Sequence, residues 1–317
     1  MVPRVSIGLP VYNGESYLAE ALDSLLAQTC ADFELILSDN GSTDGTERIC
    51  RAYAARDSRI RYCRVEQNRG AAWNFNRVFD LATAPYFKWA AHDDRCAPTY
   101  IEKCLEKLEG DPSLVMCHSK VTVIDEAGRP VEDYGVELGR VDSPRPRDRF
   151  IDTILIRHRC YHVFGVMRRE VLARTPRIAN YIGSDLPLLA ELSLRGRFCE
   201  LPERLFISRD HVQRSVRATL AKMPAWFDPN CDGKVVFRYW RFLWEYLRCV
   251  RLAPLALGER LACYARIGRW LCRYPVRLAE DFLMAARLVC PAPIRRALRS
   301  VCGRGKVPER MREGPSA

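Results

Sequence analysis

Across the first 91 residues, short apolar runs alternate with helix-period stripes, and few folds satisfy that order. Val5–Leu9 alternates like a strand. Glu15–Gln28 then carries apolar residues at 18, 21, 22, 25 and 26, one face of a helix. Phe33–Leu37 and Ile60–Val65 read as further strands, with helices expected over about 45–56 and from just after Gly70 to about Leu81. Tyr86–Ala91 is a fourth, aromatic-rich strand. Parallel strands need a crossover and a helix supplies it, so this order predicts an α/β fold with a parallel sheet. Open sheets of this kind bind ligands beyond the carboxyl ends of their strands.

Chemistry-bearing residues stand at those ends. The first strand runs into Pro10-Val-Tyr-Asn-Gly14, a turn. The second ends in Ser38-Asp-Asn-Gly-Ser-Thr-Asp-Gly-Thr46, a loop offering side-chain acceptors and backbone donors together. The fourth ends in His92-Asp93-Asp94, with Pro98 where a helix can begin. Adjacent carboxylates repel unless a cation or donor compensates. Mg²⁺ carrying a diphosphate is one such cation; a solvated turn capping the next helix is the plainer alternative.

Leu9-Pro-Val-Tyr-Asn-Gly14, Ser38–Thr46, Asn68-Arg-Gly70 and His92-Asp-Asp94, in that order, resemble the family 2 inverting glycosyltransferases of the GT-A fold over roughly residues 4–220. The resemblance implies a Rossmann-like, mostly parallel sheet flanked by helices, a nucleotide-sugar donor and a divalent metal, Mg²⁺ or Mn²⁺. It implies that Pro10, Tyr12 and Asn13 line the nucleotide pocket and that Asp39 accepts from base or ribose. Ser42 would shape the loop, and Asn68 and Gly70 would lie near the nucleoside. Asp93 would hold the metal under the diphosphate, with Asp94 beside it, facing sugar or metal and counted with the catalytic residues. Two departures stand out: Ala91 replaces the first acid of an Asp-x-Asp-Asp pattern, and Asn40 replaces the second acid of an Asp-Asp-Gly-Ser pattern. The loss at Ala91 keeps a rival open, a nucleotide-sugar-binding protein without turnover.

Leu114–Ile124 reads as one or two strands, residues 126–149 as a polar surface loop, and Tyr161–Met167 as a strand facing the sugar. Gly183-Ser-Asp185 opens a helix to Leu194, where an acid is a common N-cap. The resemblance makes Asp185 the general base, with one carboxylate sufficing for a single inverting displacement. Phe198–Ile207 reads as strands around a turn. After it, the resemblance places His211 at the metal or diphosphate and Arg209 or Arg214 at the phosphates. His118, His158 and His162 are expected to be structural, and Trp89 core.

Charge divides the chain. Residues 231–317 hold 18 Lys+Arg against 7 Asp+Glu, whereas residues 1–230 hold 32 of each. From Val235 to Val250 the polar residues Arg238, Arg241, Glu245 and Arg248 form one stripe among Phe and Trp, with further helices near 257–273 and 277–289. The expected organisation is a catalytic domain over 1–220, a basic helical extension over 221–302 and a disordered tail over 303–317. The extension either packs on the body or a second copy, or lies on an anionic membrane face. A neutral body without nucleic-acid motifs disfavours a nucleic-acid binder, and Gly-x-Gly-x-x-Gly and Walker A sequences are absent. The opening residues lack a signal-peptide pattern, no window is apolar enough to span a bilayer, and the fourteen cysteines contain no Cys-x-x-Cys. A cytoplasmic protein with reduced thiols is expected, peripheral on the inner membrane face if the helices meet lipid, and acting on a saccharide or lipid-linked acceptor.

Overall fold

A computed structural model describes residues 2–135, 138–212 and 237–289, with side chains as far as 282 in the last stretch. Expectations for Arg214, for the opening of the extension over 221–236 and for the tail over 303–317 lie outside the described residues.

β1 (Val5–Val11), α1 (Leu18–Leu26), β2 (Phe33–Asp39), α2 (Thr46–Arg56), β3 (Ile60–Arg64), α3 (Ala71–Asp80) and β4 (Tyr86–Trp89) follow the predicted order. β1 pairs in parallel with both β2 and β4, and β2 with β3. All seven residues of β1 are buried, as befits a strand covered on both faces. Gly8 is required there, because a Cβ would stand 2.6 Å from the Val78 side chain of α3. The chain moves outward from β1 through β2 to β3, then returns by α3 to place β4 on the other flank of β1. The switch in direction between β1 and β4 opens a crevice at the strands' carboxyl ends.

The second half adds β5 (Arg95–Cys96), α4 (Tyr100–Gly110), β6 (Leu114–Ile124), β7 (Pro130–Tyr134), α5 (Pro146–Leu155), β8 (Val166–Arg168), α6 (Arg169–Leu172), α7 (Asp185–Arg195) and β9 (Arg197–Arg209). The nine-stranded sheet runs β3-β2-β1-β4-β8-β6-β9-β5, with β7 on the outer half of β6. Beyond β4 it is mixed: β8 is antiparallel to β4 and β6, while β6 and β9 are parallel.

Three local expectations need correcting. The stretch 126–149 contains β7 and the first turn of α5, which Pro146 starts with its fixed φ. Tyr161–Met167 is a 3-10 turn over Tyr161–Phe164 before the short β8, because Cys160 takes a left-handed φ of 58° and turns the chain. Phe198–Ile207 belongs to one strand, β9, whose register with β6 slips at Pro202 and Glu203, where proline offers no ladder donor.

α8 (Arg238–Leu252), α9 (Leu257–Arg273) and α10 (Pro275–Val289) complete the described chain. Phe242, Tyr246, Val250, Ile267 and Trp270 share one apolar cluster with Phe150 and Ile154 of α5 and Leu194 of α7. The polar stripe of α8 turns inward. Glu245, only 4% exposed, pairs with Arg241 at 2.9 Å and Arg248 at 2.7 Å. Arg248 reaches Glu191 of α7 at 3.1 Å, and Glu191 also holds Arg195 at 2.6 Å. Removing one member of a buried ionic chain leaves its partners desolvated and unpaired. Glu191→Ala is therefore expected to cost about 3–5 kcal/mol in denaturant unfolding. A loss under about 1 kcal/mol would mean the chain is no better than a surface pair.

The eleven described cysteines are free thiols and most are buried. Trp89 is fully buried, as expected. No helix among the described residues is long and apolar enough to cross a membrane.

Candidate functional site

The carboxyl ends of β1 and β2 are stitched together by short polar side chains. Asn13 takes a left-handed φ of 50°, which asparagine tolerates, and its Oδ1 accepts from the Thr43 amide at 2.8 Å. The Asn13 amide donates to Ser42 Oγ and the Gly14 amide to Thr46 Oγ1, each at 2.9 Å. Gly41 is left-handed, and a Cβ there would lie 3.1 Å from the backbone of 66–67. Asp39 is fully buried. Its Oδ1 accepts from the Ser42 amide at 2.8 Å, and its Oδ2 takes the Tyr62 hydroxyl at 3.0 Å and faces Arg64 at 3.3 Å. Desolvation, then the Asp39 charge, pushes the Tyr62 phenol up, so it stays a donor. Asn40 Nδ2 donates to Asn68 Oδ1 at 2.9 Å and to Gly70 O at 3.1 Å, tying the third loop to the second. Tyr12 is 41% exposed beside these loops, whereas Pro10 is buried within β1, opposite Ser38.

Beside them, beyond β4, Asp93 Oδ2 lies 2.8 Å from His211 Nε2. The His211 ring packs at a tilt against Tyr17, just before α1, with the ring centres 5.1 Å apart. Asp94 turns inward: it is 7% exposed, and its Oδ1 accepts from the Arg209 amide at 2.9 Å. Arg209 differs from expectation. Rather than standing ready for phosphates, its guanidinium is buried, donates to Asp93 O, Asp125 O and Glu126 O, pairs with Glu20, and lies 4.5 Å over the Tyr17 ring. The inward register of β9 places it where backbone carbonyls satisfy its planar fork. His92 packs on Gly14, where a Cβ would come within 2.7 Å of its ring.

Asp185, first residue of α7, keeps different company. Its Oδ1 accepts from the Leu186 amide at 3.1 Å. Burial and then the charge and hydrogen bond of Asp185 push the Cys160 thiol well up. Burial pushes the His158 imidazole down, against the pull of Asp185. Two groupings thus emerge: Asn13, Asp39, Ser42, Asn68, Gly70, Asp93 and His211 around the β1–β2–β4 crevice, and Asp185 with the 158–160 segment.

An acid held against an imidazole, flanked by three stitched loops at a sheet's switch point, is suited to an anionic ligand carrying a metal. The Glycosyl transferase family 2 model matches residues 6–175, more than half of the chain. The chain belongs to glycosyl transferase family 2. EpsE of Bacillus subtilis (strain 168), named as a glycosyltransferase, is 37% identical to this family 2 chain over 127 residues, 40% of the chain and 46% of EpsE. The chain spans less than half the length of the curated relatives it first matches. Staphylococcus aureus TarS 1–349, in complex with UDP-GlcNAc, shares the fold with a TM-score of 0.61 at 15% identity, over 90% of this chain and 82% of that one. The mannosyltransferase PcManGT of Pyrobaculum calidifontis, in complex with GDP-Man and Mn²⁺, gives 0.53 at 18% identity, over 98% and 83%. The family 2 chain therefore has the GT-A type of α/β fold.

Tyr62, Arg64 and Asn74 of this family 2 chain also shape the site, although no motif marks them. Asn74 Nδ2, buried on α3, donates to Ser38 O at 2.8 Å and Val11 O at 3.3 Å, clamping the two strand ends. A polar residue on the inner face of an amphipathic helix was the available signal.

Proposed function

We propose that the chain is an inverting glycosyltransferase that moves a sugar from a nucleotide-sugar donor to an acceptor hydroxyl with the help of a divalent metal. The observation that carries this reading is the Asp93–His211 pair at 2.8 Å beside the stitched loops. Neighbouring ligands on an octahedral ion with bonds of about 2.1 Å stand about 3 Å apart, so this pair fits a metal with little movement. Asp93 and His211 would hold the ion. When bound, Mg²⁺ or Mn²⁺ would supply positive charge to the departing nucleoside diphosphate.

The contacts support roles for the other groups. Asn13 and Ser42 fix the nucleotide loop, with the exposed Tyr12 ring available to the base. Asp39, fully buried, would accept from base or ribose once Tyr62 or Arg64 gives way. Asn68 and Gly70, tied through Asn40, form the wall nearest the nucleoside. Asp94 is assigned to holding β9 against the metal loop. Asp185 takes the proton from the acceptor hydroxyl as the sugar passes through an oxocarbenium-like state and inverts. That TarS holds UDP-GlcNAc, and PcManGT holds GDP-Man with Mn²⁺, supports a nucleotide-sugar donor here.

The test is a panel of UDP-, GDP- and dTDP-sugars, with and without Mn²⁺ or Mg²⁺, read by calorimetry and by slow sugar release. One nucleotide binding with metal and losing its sugar supports the enzyme. Binding without release under any acceptor supports the non-catalytic alternative that Ala91 suggests. No metal-dependent binding would overturn the site.

The acceptor is proposed to be a saccharide or lipid-linked glycan of cell-surface polysaccharide or glycolipid synthesis, met at the cytoplasmic membrane face. Trp240 and Trp244 on α8 and Phe282 on α10 are 39%, 52% and 54% exposed, within the basic part of the chain. Aromatic and basic groups together suit an anionic lipid interface. The protein is expected to co-sediment with phosphatidylserine vesicles but not with neutral ones, and Trp240→Ser with Trp244→Ser to remain in solution. Failure to distinguish the vesicles would assign this face to a protein partner.

A further inference from the structure

Away from the donor crevice, a second group of metal-ligating side chains converges on the covered face of β6. His118 of β6 and Glu200 of β9 are register partners, so they share one face of the sheet. His162, on the turn before β8, lies over them, its ring 4.5 Å from that of His118 in an edge-on arrangement. One ligand atom from each of the three lies within 4.8 Å of the others, and Glu200 Oε2 is 3.8 Å from His118 Nδ1. Both histidines are 4% exposed. His118 Nε2 and His162 Nδ1 are buried without a hydrogen-bond partner among the described residues. Buried polar atoms rarely stay unpaired, and a bound ion is one standard reason when no protein group meets them.

We propose that His118, His162 and Glu200 form a second divalent-cation site, suited to zinc and separate from Asp93 and His211. Two imidazoles and one carboxylate match the donor set zinc takes with one position left open. Donors on a tetrahedral zinc stand about 3.4 Å apart, so the side chains close by less than a rotamer change. A cavity of about 20 Å³ walled by the three residues has room for one water-sized body. The same three border a cleft of about 610 Å³, which supplies an entry path. Lys120 also lines the small cavity and sets one positive charge against the ion, which Glu200 balances.

The test is Co²⁺ titration of the metal-free, full-length chain, read by the visible band of tetrahedral cobalt. One saturating equivalent is expected, displaced by Zn²⁺ but not by Mg²⁺. The band should persist in Asp93→Asn, vanish in His162→Ala, and need at least tenfold more Co²⁺ in Glu200→Gln. Glu200 is partly exposed, so that variant carries the test even if His162→Ala fails to fold. Absence of the band, or a band lost in Asp93→Asn and unchanged in Glu200→Gln, would overturn the proposal while leaving the donor site as it stands.

Discussion

Asp93→Asn is expected to lower sugar release by roughly 10²–10³-fold or more at fixed Mn²⁺, and to make nucleotide binding indifferent to metal. Asn keeps the size of Asp and can still accept from His211 Nε2, now 2.8 Å from Asp93 Oδ2, so local packing should survive. What disappears is the negative charge that would hold an ion beneath a diphosphate. The polypeptide is not expected to unfold, because Asp93 O, which takes Arg209 Nε at 3.3 Å, is backbone and unaffected. Calorimetry with and without Mn²⁺, beside a circular dichroism melt, separates the two. Metal-dependent binding of wild-type strength in Asp93→Asn would refute the metal assignment.

Asp185→Asn should leave that binding untouched and act on turnover alone. Loss of a positioned base costs about 10²–10⁴-fold, so kcat should fall that far while donor affinity changes by less than about twofold. The separation is expected because Asp185 stands with Cys160 and His158 rather than with Asp39 or the Asp93–His211 pair. An unaltered kcat in a variant with normal nucleotide binding would remove Asp185 as the base and return it to the role of a helix-start residue. A loss of binding and turnover together would place it in the donor pocket instead.

The parallel half of the fold was legible because each strand and crossover helix announces itself by its own local period. Val5–Leu9 through Ala91 needed no distant partner to be recognised. The 126–167 region was not legible in the same way: β7 is a five-residue edge strand, and the turn at Cys160 depends on a left-handed residue that composition does not advertise. Site residues at strand ends could be named from motif order. Their partners could not, since Tyr62 and Arg64 reach Asp39 across a strand pair and Asn74 reaches in from a helix. Arg209 shows the limit most clearly. A basic residue near a phosphate motif invites a phosphate role, yet its buried register commits it to carbonyls and Glu20. Likewise the polar stripe of α8 could be seen in the sequence, but not that Glu191 of α7 is its partner.

The stitch made by Arg209 and His211 also sets an order of assembly. Arg209 meets Glu20 across 189 positions of sequence, and His211 meets Asp93 across 118. A ribosome delivers the loops after β1 and β2 long before it delivers the residues that close the loop after β4, so the nascent chain passes through a stage with a cradle but no clasp. Contacts of such long range form late and slow folding. A fragment ending at residue 175, where the family match stops, would carry Asp39, Asn68 and Asp93 but lack β9 entirely, leaving β6 without its parallel neighbour. The early motifs are thus a promise that only the distal chain redeems, and truncation should extinguish turnover well before it erases the sheet's first strands.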